Sequence, residues 1–257
     1  MRRQGEFGLD KNAYLYRRGL RFAHLGRDWG GQTAYDSGPL HDTGVFGGTL
    51  NYTSWSFSEL IYRPQLYFGP NSKVTYTSTP IRGTGPFSIS AWVFPIAAGG
   101  WDGPIVTWGD SGVAHDYFEL NIDSSGYVHG DQASGSNSST FFGAATAGQW
   151  NHLLYIHEDN SPVNGDTLYV DGVEATGGGV GSTVLDITEG GGDTLQMGQS
   201  NDSSIYQITA AVGDVLIFDQ RLVQADAELL TEIDDETLRG LIIEGAIANA
   251  YDMESIR

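Results

Sequence analysis

The chain of 257 residues contains no cysteine, which excludes a disulfide framework and any cysteine-based metal or redox site. It also lacks an apolar run of about 18 residues, the length that a membrane-spanning helix needs. No apolar stretch follows residues 1–6, so a secretory signal peptide is not expected. We therefore expect a protein that is made and folded in a cytoplasm, unless it leaves by another route such as cell lysis.

Positive charge is scarce: 13 Lys and Arg residues stand against 32 Asp and Glu residues, a net charge of −19. Residues 1–27 hold seven basic and two acidic residues, while the other 230 hold six and 30. The acidic body argues against nucleic acid or an anionic membrane as a partner, since phosphate binding needs clustered Lys and Arg. The basic arm, residues 1–19, is either a solvated tail or a contact for an acidic surface such as a neighbouring copy. Its candidate contact residues are Arg2, Arg3, Lys11, Tyr14, Tyr16, Arg17 and Arg18.

Glycine and aromatic residues are abundant, at 36 glycines and 12% aromatics, and this predicts many short strands joined by tight turns. The clearest strand covers residues 87–94, where large and small side chains alternate until Pro95. A hairpin is predicted across residues 123–126. A two-residue turn is predicted at Asp171-Gly172, because both residues tolerate positive φ. The length suits a single all-β domain.

The remaining segments divide the chain into an arm (1–19), an all-β domain (20–225) and a helical tail (226–257). Residues 131–140 are small and polar, and residues 176–193 are rich in glycine, so both are predicted to be loops. Apolar residues recur at helical spacing over residues 224–232 and 234–252, which predicts a helical end to the chain.

Seven motifs stand in an order that resembles the laminin G-like jelly roll of the concanavalin A-like lectin/glucanase superfamily, over residues 20–225. They are Phe87 to Val93, Ile105 to Asp110, Tyr117 to Leu120, Gln149 to Leu153, Leu168 to Gly172, Met197-Gly198 and Gly213 to Leu222. The resemblance implies an all-β fold, a two-sheet antiparallel β-sandwich, in which Trp92 and Trp150 would lie in the core between the sheets.

Glycosidases of this superfamily place two glutamates on one strand in the pattern Glu-x-Asp-x-Glu. The nearest match here is Glu119-Leu120-Asn121-Ile122-Asp123, where the central Asp is replaced by Asn and the second acid is expected in a turn. The six histidines show no metal spacing and no nucleophile motif accompanies them. We therefore expect a protein that is not an enzyme.

Domains of this type often bind calcium through carboxylates and backbone carbonyls. Asp214 is the candidate ligand, because it lies in the closing strand that resembles the site-bearing segment of the family. Loop candidates beside it are Asp110, Asp116, Asn201 and Asp202. Loop aromatics could stack on sugar rings or serve as edge packing and oligomer contacts, and these are Trp29, Trp55, Trp101 and Tyr206.

Two function hypotheses follow. The first is a non-catalytic virion protein, a phage capsid decoration (cement) or tail-associated subunit that docks through its arm and tail. Single-domain reading frames of this kind resemble those found in phage genomes, and this hypothesis predicts a homo-oligomer, with a trimer favoured. The alternative is a carbohydrate-binding, lectin-like module, calcium-dependent or not, at an extracellular location. A glycoside hydrolase or lyase is disfavoured by the missing acidic motif.

Overall fold

The computed structural model describes most of the residues between 15 and 232. These are 15, 18–30, 33–36, 38–40, 42–47, 54–58, 63–69, 71–95, 103–110, 112–113, 116–123, 125–132, 138–143, 145–181, 184–188, 194–200 and 207–232. The regular secondary structure of the described part is almost all strand, with a short 3-10 turn at Val163–Gly165 and one α-helix, α1, at Gln224–Glu232. No helix among these residues is long and apolar enough to cross a membrane.

Seventeen strands run through the described residues. They are β1 Leu20–Gly30, β2 Thr33–Asp36, β3 Thr43–Gly47, β4 Ser54–Ser58, β5 Arg63–Phe68, β6 Lys73–Tyr76, β7 Phe87–Pro95, β8 Gly103–Gly109, β9 Tyr117–Ile122, β10 Val128–Gln132, β11 Ser138–Phe142, β12 Asn151–His157, β13 Thr167–Val170, β14 Val173–Glu174, β15 Gly177–Val180, β16 Leu195–Met197 and β17 Ala210–Phe218.

The strands form two antiparallel sheets, as predicted. The first sheet has the order β4-β5-β17-β7-β12-β13-β14. Strand β1 lies on the same side of β17 as β5: β5 pairs with the first residues of β17, and β1 pairs with its last residues. The second sheet has eight strands in the order β3-β6-β16-β8-β9-β10-β11-β15. Strand β2 joins β1 to β3 and so links the two sheets at one edge.

The core lies between these sheets, and aromatic rings from both sheets meet in it. Phe87 of the first sheet packs edge-on against Phe118 of the second, with ring centroids 5.0 Å apart. Tyr155 of β12 lies 5.4 Å from Phe118 and 6.3 Å from Phe142. Ring pairs of this kind stabilise a core beyond the area that they bury. Because every second residue of a strand faces this core, apolar residues recur with a period of two, and this pattern predicted the sandwich.

A second, smaller apolar cluster covers the outer face of the first sheet. It joins Leu154 of β12 and Leu216 and Phe218 of β17 to Ala227 and Leu230 of α1. Leu15, which falls within the predicted arm, is 1% exposed and belongs to the same cluster. Helix α1, predicted from its apolar spacing, is therefore confirmed. The segment 234–252 lies outside the described residues.

Three predictions about local structure were wrong. Trp92 and Trp150 are only half-buried and lie outside the core between the sheets. Trp92 follows the outward-facing Ser90 on β7 and stacks near His152, with centroids 5.2 Å apart. Residues 131–132 and 138–140 are strand rather than loop, and so are the glycines 177–179 of β15. Small residues and glycines predict a loop, but backbone pairing with neighbouring strands makes these segments strands.

Candidate functional site

Strand β9 carries apolar residues on one face and polar residues on the other. Phe118, Leu120 and Ile122 point into the core. Tyr117 and Glu119, which alternate with them, therefore point to the opposite face of the eight-stranded sheet. Such alternation is typical of a strand with one buried and one exposed face. Here the polar residues are largely buried as well: Tyr117 is fully buried and Asn121 is 9% exposed.

The neighbouring strands extend this polar face sideways. Glu119 is directly opposite Thr107 of β8 and Asp131 of β10. Residues in register across a sheet have side chains on the same face. We call Thr107, Tyr117, Glu119, Asn121 and Asp131 the polar row. His129, opposite Asn121, continues it toward the end of the sheet.

Hydrogen bonds tie the polar row together. The Tyr117 hydroxyl donates to Glu119 Oε2 at 2.6 Å, and its oxygen lies within hydrogen-bond distance, 2.6 Å, of the Ser200 hydroxyl. Asn121 Nδ2 donates to Glu119 Oε1 at 3.0 Å and to Asp131 Oδ2 at 2.6 Å. One amide nitrogen thus bridges two carboxylates that face each other across adjacent strands.

The electrostatics of Glu119 are unfavourable to its charged form. Burial raises the pKa of the Glu119 carboxyl above its usual range, the charge of Asp131 raises it further, and hydrogen bonds from Tyr117 and Asn121 oppose the shift without cancelling it. Burial and the neighbouring Glu119 also raise the pKa of the Tyr117 hydroxyl. Two partly buried carboxylates side by side cost stability that an apolar pair would not. A buried acid with a raised pKa beside a second acid is therefore a candidate functional site.

Asp123, the second acid of the sequence motif, does not join the polar row. Its Oδ1 accepts bonds from the backbone N–H groups of Ser125 (2.7 Å) and Tyr127 (3.0 Å), and its Oδ2 lies 2.9 Å from His129 Nε2. Burial alone would raise its pKa, but these bonds lower it below its usual range. Asp123 is therefore the anchor of the hairpin turn, as the expected turn position implies.

Sequence reasoning missed Asp131, which is the acid that faces Glu119. It belongs to the stretch 131–140 that was predicted to be a loop, so it was not considered. A turn of four residues, 123–126, would place Gly130 opposite Glu119. The observed loop is one residue longer, 123–127, and pairs Ile122 with Val128, so that Asp131 faces Glu119 instead.

The predicted calcium ligands that the structure describes, Asp110, Asp116 and Asp214, do not form one metal-binding group. Asp214 is 2% exposed in β17, beside the irregularity between Val212 and Val215. Asp110 accepts a bond from the Gly112 N–H at 2.8 Å, and Asp116 accepts one from the Thr188 N–H at 2.9 Å. Asn201 and Asp202 lie outside the described residues. In the described part of the chain, no three His, Asp or Glu side chains form a group that could hold a metal ion, and the calcium site stays a prediction.

Most of the predicted contact aromatics and arm residues lie outside the residues that the structure describes. Trp101 and Tyr206 lie outside the described residues, and Trp29 and Trp55 are described by their backbone alone, in β1 and β4. Of the arm residues, Arg2, Arg3, Lys11, Tyr14, Tyr16 and Arg17 lie outside the described residues. Arg18 is described, and its Nη2 lies 3.1 Å from Asp226 Oδ1 and Oδ2 at the start of α1.

Comparisons with known proteins agree with this architecture. A laminin G-type family model, described as the concanavalin A-like lectin/glucanases superfamily, matches residues 68–227. No curated protein sequence matches the chain.

Among solved structures, the chain is similar to domain 4 of AbnA, a GH43 extracellular arabinanase from Geobacillus stearothermophilus, in complex with arabinotriose. The TM-score is 0.59 at 13% identity, over 83% of this chain and 98% of that one. It is also similar to the binding domain of Paraclostridial Mosquitocidal Protein 1, with a TM-score of 0.59 at 12% identity, over 87% of this chain and 52% of that one. A third match is Trypanosoma rangeli sialidase in complex with the inhibitor DANA, with a TM-score of 0.53 at 12% identity, over 82% of this chain. The present chain spans 32% of that sialidase, and these identities show a shared fold alone.

Proposed function

Because the chain belongs to the concanavalin A-like lectin/glucanase superfamily, we propose that it is a non-catalytic carbohydrate-binding module whose polar row bonds sugar hydroxyls. The observation that carries the proposal is the bridged carboxylate pair, Glu119 and Asp131, on the outer face of the eight-stranded sheet. Both acids are only partly buried, and a carboxylate has about four lone-pair sites, so each can accept a sugar hydroxyl beside the bonds that it already makes.

The bridging amide favours a sugar over a cation. Asn121 Nδ2 stands between the two carboxylates and donates to both of them. A metal ion at that point would meet an N–H donor instead of an oxygen ligand. A sugar hydroxyl suits both kinds of group, because it can donate to a carboxylate and accept from an amide or a phenol.

The same bridge favours binding over hydrolysis. A glycosidase keeps one carboxyl free to protonate the leaving oxygen and a second free to attack the sugar or to activate water. Here the two acids share one amide nitrogen, and Glu119 also accepts a bond from Tyr117. The fold match to an arabinanase domain bound to arabinotriose is consistent with a binding module.

Titration calorimetry with neutral oligosaccharides, chosen from a glycan array, tests the proposal. Glu119→Gln, Asn121→Ala and Asp131→Asn should each weaken binding by about fivefold or more, since a buried partner lost at a polar site costs about 1–3 kcal/mol. Glu228→Gln is the matched control, because Glu228 is an exposed acid on α1, over the other sheet. Failure of the unaltered chain to bind any glycan, or full binding by Glu119→Gln and Asp131→Asn, would overturn the proposal. Release of reducing sugar would contradict its non-catalytic part.

We propose as a second function that the module is a subunit of a larger assembly, a phage capsid decoration (cement) or tail-associated protein. The observation that favours it is the anchoring of the arm. Leu15 is buried against the first sheet and Arg18 is paired with Asp226, so the basic residues that precede Leu15 start from a fixed point.

Light scattering on the full chain and on a chain lacking residues 1–13 tests this second proposal. The truncation keeps Leu15 and Arg18, so the body should fold unchanged. A trimer that becomes a monomer on truncation, together with loss of capsid binding, is the expected result. A monomeric full chain, or a truncated chain that still assembles and binds capsids, would contradict it.

A further inference from the structure

A second concave site lies at the edge of the sandwich, away from the polar row. It is a cavity of about 320 Å³ lined by Arg21 of β1, Arg82 and Pro86 of the β6–β7 connection, Leu40, and Asp219 just after β17. We propose that this cavity binds a small ligand that carries a carboxylate on a compact, partly apolar body. The volume is at the lower end of the range of small-molecule sites.

The charge at the cavity is opposite to that of the protein. Beyond residue 27 the chain has six basic residues against 30 acidic ones, and the whole chain carries a net charge of −19. Yet Arg21 and Arg82 line the same cavity with one acid, Asp219. An anion that approaches this acidic surface therefore meets a local excess of positive charge at this point.

Asp219 holds Arg21 in position. Its Oδ2 accepts from Arg21 Nε and Nη2, both at 2.5 Å, and its own backbone N–H donates to the Gly19 carbonyl at 2.8 Å. Only part of the guanidinium is used by Asp219, since the group has five N–H donors in a planar fork. A fixed fork with donors to spare suits a carboxylate, which it can bind through two oxygens.

The walls explain why the ligand needs an apolar part. Leu40 is 36% exposed, which is high for a leucine, while Ile81, which also lines the cavity, is buried. Gly85 also lines the cavity, and a Cβ added there would have no atom within 4 Å. The cavity is thus a space with aliphatic sides and a cationic end, which fits a ring or short chain that ends in a carboxylate.

Two kinds of ligand share this chemistry, an acidic sugar and a simple organic acid, so the experiment uses one probe of each. Calorimetry with a hexuronate and with cyclohexanecarboxylate, in 20 mM salt, should detect binding of at least one probe, and 300 mM salt should weaken it several-fold. A hexuronate preference assigns the sugar, whereas equal binding assigns any compact carboxylate. The neutral hexose that matches the hexuronate should bind at least tenfold more weakly.

Three variants locate the binding. Arg82→Gln and Arg21→Gln should each weaken it about tenfold, and Gly85→Leu should block it by filling the open space without removing charge. Arg221→Gln is the matched control, because Arg221 is an exposed arginine that pairs with Glu158 at 2.7 Å outside the cavity. Three outcomes would each overturn the proposal. The first is unaltered binding in both Arg82→Gln and Gly85→Leu, and the second is equal binding of the neutral hexose. The third is no binding of either carboxylate at ~10 mM, a concentration that would detect even a weak site. These outcomes do not depend on whether the polar row binds glycans.

Discussion

Replacement of Glu119 by Gln should stabilise the folded protein while it weakens glycan binding. Contacts of 3.0 and 2.6 Å to the same Asn121 nitrogen place the carboxylate oxygens of Glu119 and Asp131 no more than about 5.6 Å apart. At an effective dielectric constant of about 20, two charges at that distance repel by about 3 kcal/mol, and in bulk water by less than 1 kcal/mol. Glutamine removes this repulsion and the cost of burying a charge.

The loss that opposes this gain is the weakening of two hydrogen bonds. Tyr117 and Asn121 both donate to a charged acceptor, and bonds to a neutral one are weaker by about 1 kcal/mol each. Tyr117 can accept from the new amide while it donates to Ser200, so neither bond has to be abandoned. The balance leaves about 1 kcal/mol in favour of Glu119→Gln at pH 8.

The pH dependence separates this explanation from simple repacking. The pKa of Glu119 is raised on folding, so at pH values above the ordinary Glu pKa the native state holds more protons than the unfolded state. The free energy of unfolding therefore falls as the pH rises toward the folded pKa. His24 contributes the opposite trend in part of this range, so the effect is measured as the difference from the unaltered chain: Glu119→Gln should gain stability relative to it as the pH rises, and Glu228→Gln should not.

Urea unfolding, followed by tryptophan fluorescence, measures both the stability at pH 8 and its change with pH. The series starts at about pH 4.5, near the ordinary pKa of Glu, and ends at about pH 8. A variant that is less stable than the unaltered chain at pH 8, or one that keeps the same fall with pH, would refute the account of the polar row. A gain in stability joined to a loss of binding is what a functional site that costs stability should show.

Three further predictions concern stability and can be checked by the same urea assay. Gly130→Ala should cost about 3 kcal/mol, because a Cβ there would clash with the Tyr155 ring and displace its hydroxyl from Asp166. Gly143→Ala, with open space around it, should be nearly neutral. Leu15→Ala should cost about 2–4 kcal/mol, and a similar stability in variant and unaltered chain would show that the arm is not docked. Burial lowers the pKa of His24 to about 4, so the unfolded state binds the extra proton between pH 6.5 and that value. Stability should then fall by up to about 3 kcal/mol as the pH drops through this range, and His24→Gln should flatten the curve.

The sequence predicted the sandwich because its core strands obey period-2 alternation in plain form. Residues 87–94 and the hairpin that follows Tyr117 were identified from side chains alone, and Asp171 (φ 52°) and Gly172 (φ 80°) adopt the positive φ that their turn was expected to need. Helix α1 followed from apolar spacing in the same way. In these elements local pattern and tertiary packing agree.

The predictions failed where pairing partners decide the structure. Strand β15 is almost all glycine and is held by backbone bonds to β11, which no propensity of its own residues indicates. Asp131 was missed for the same reason, since its role depends on the strand beside it. The family resemblance implied that Trp92 lies in the core. Its register places it instead on the outer face with Ser90, where His152 packs on it.

The two proposed roles use opposite faces of the sandwich, and this has a consequence for how they would work together. Leu15 and α1 lie on the outer face of the first sheet, whereas the polar row lies on the outer face of the second. A chain held to an assembly through its arm would therefore direct its polar row away from that assembly. Docking would then leave the affinity of each glycan site unchanged, while several copies side by side would raise the avidity for a surface that presents many glycans. Binding of a single short oligosaccharide should accordingly be the same for the full chain and for the chain lacking residues 1–13, and only multivalent glycans should distinguish them.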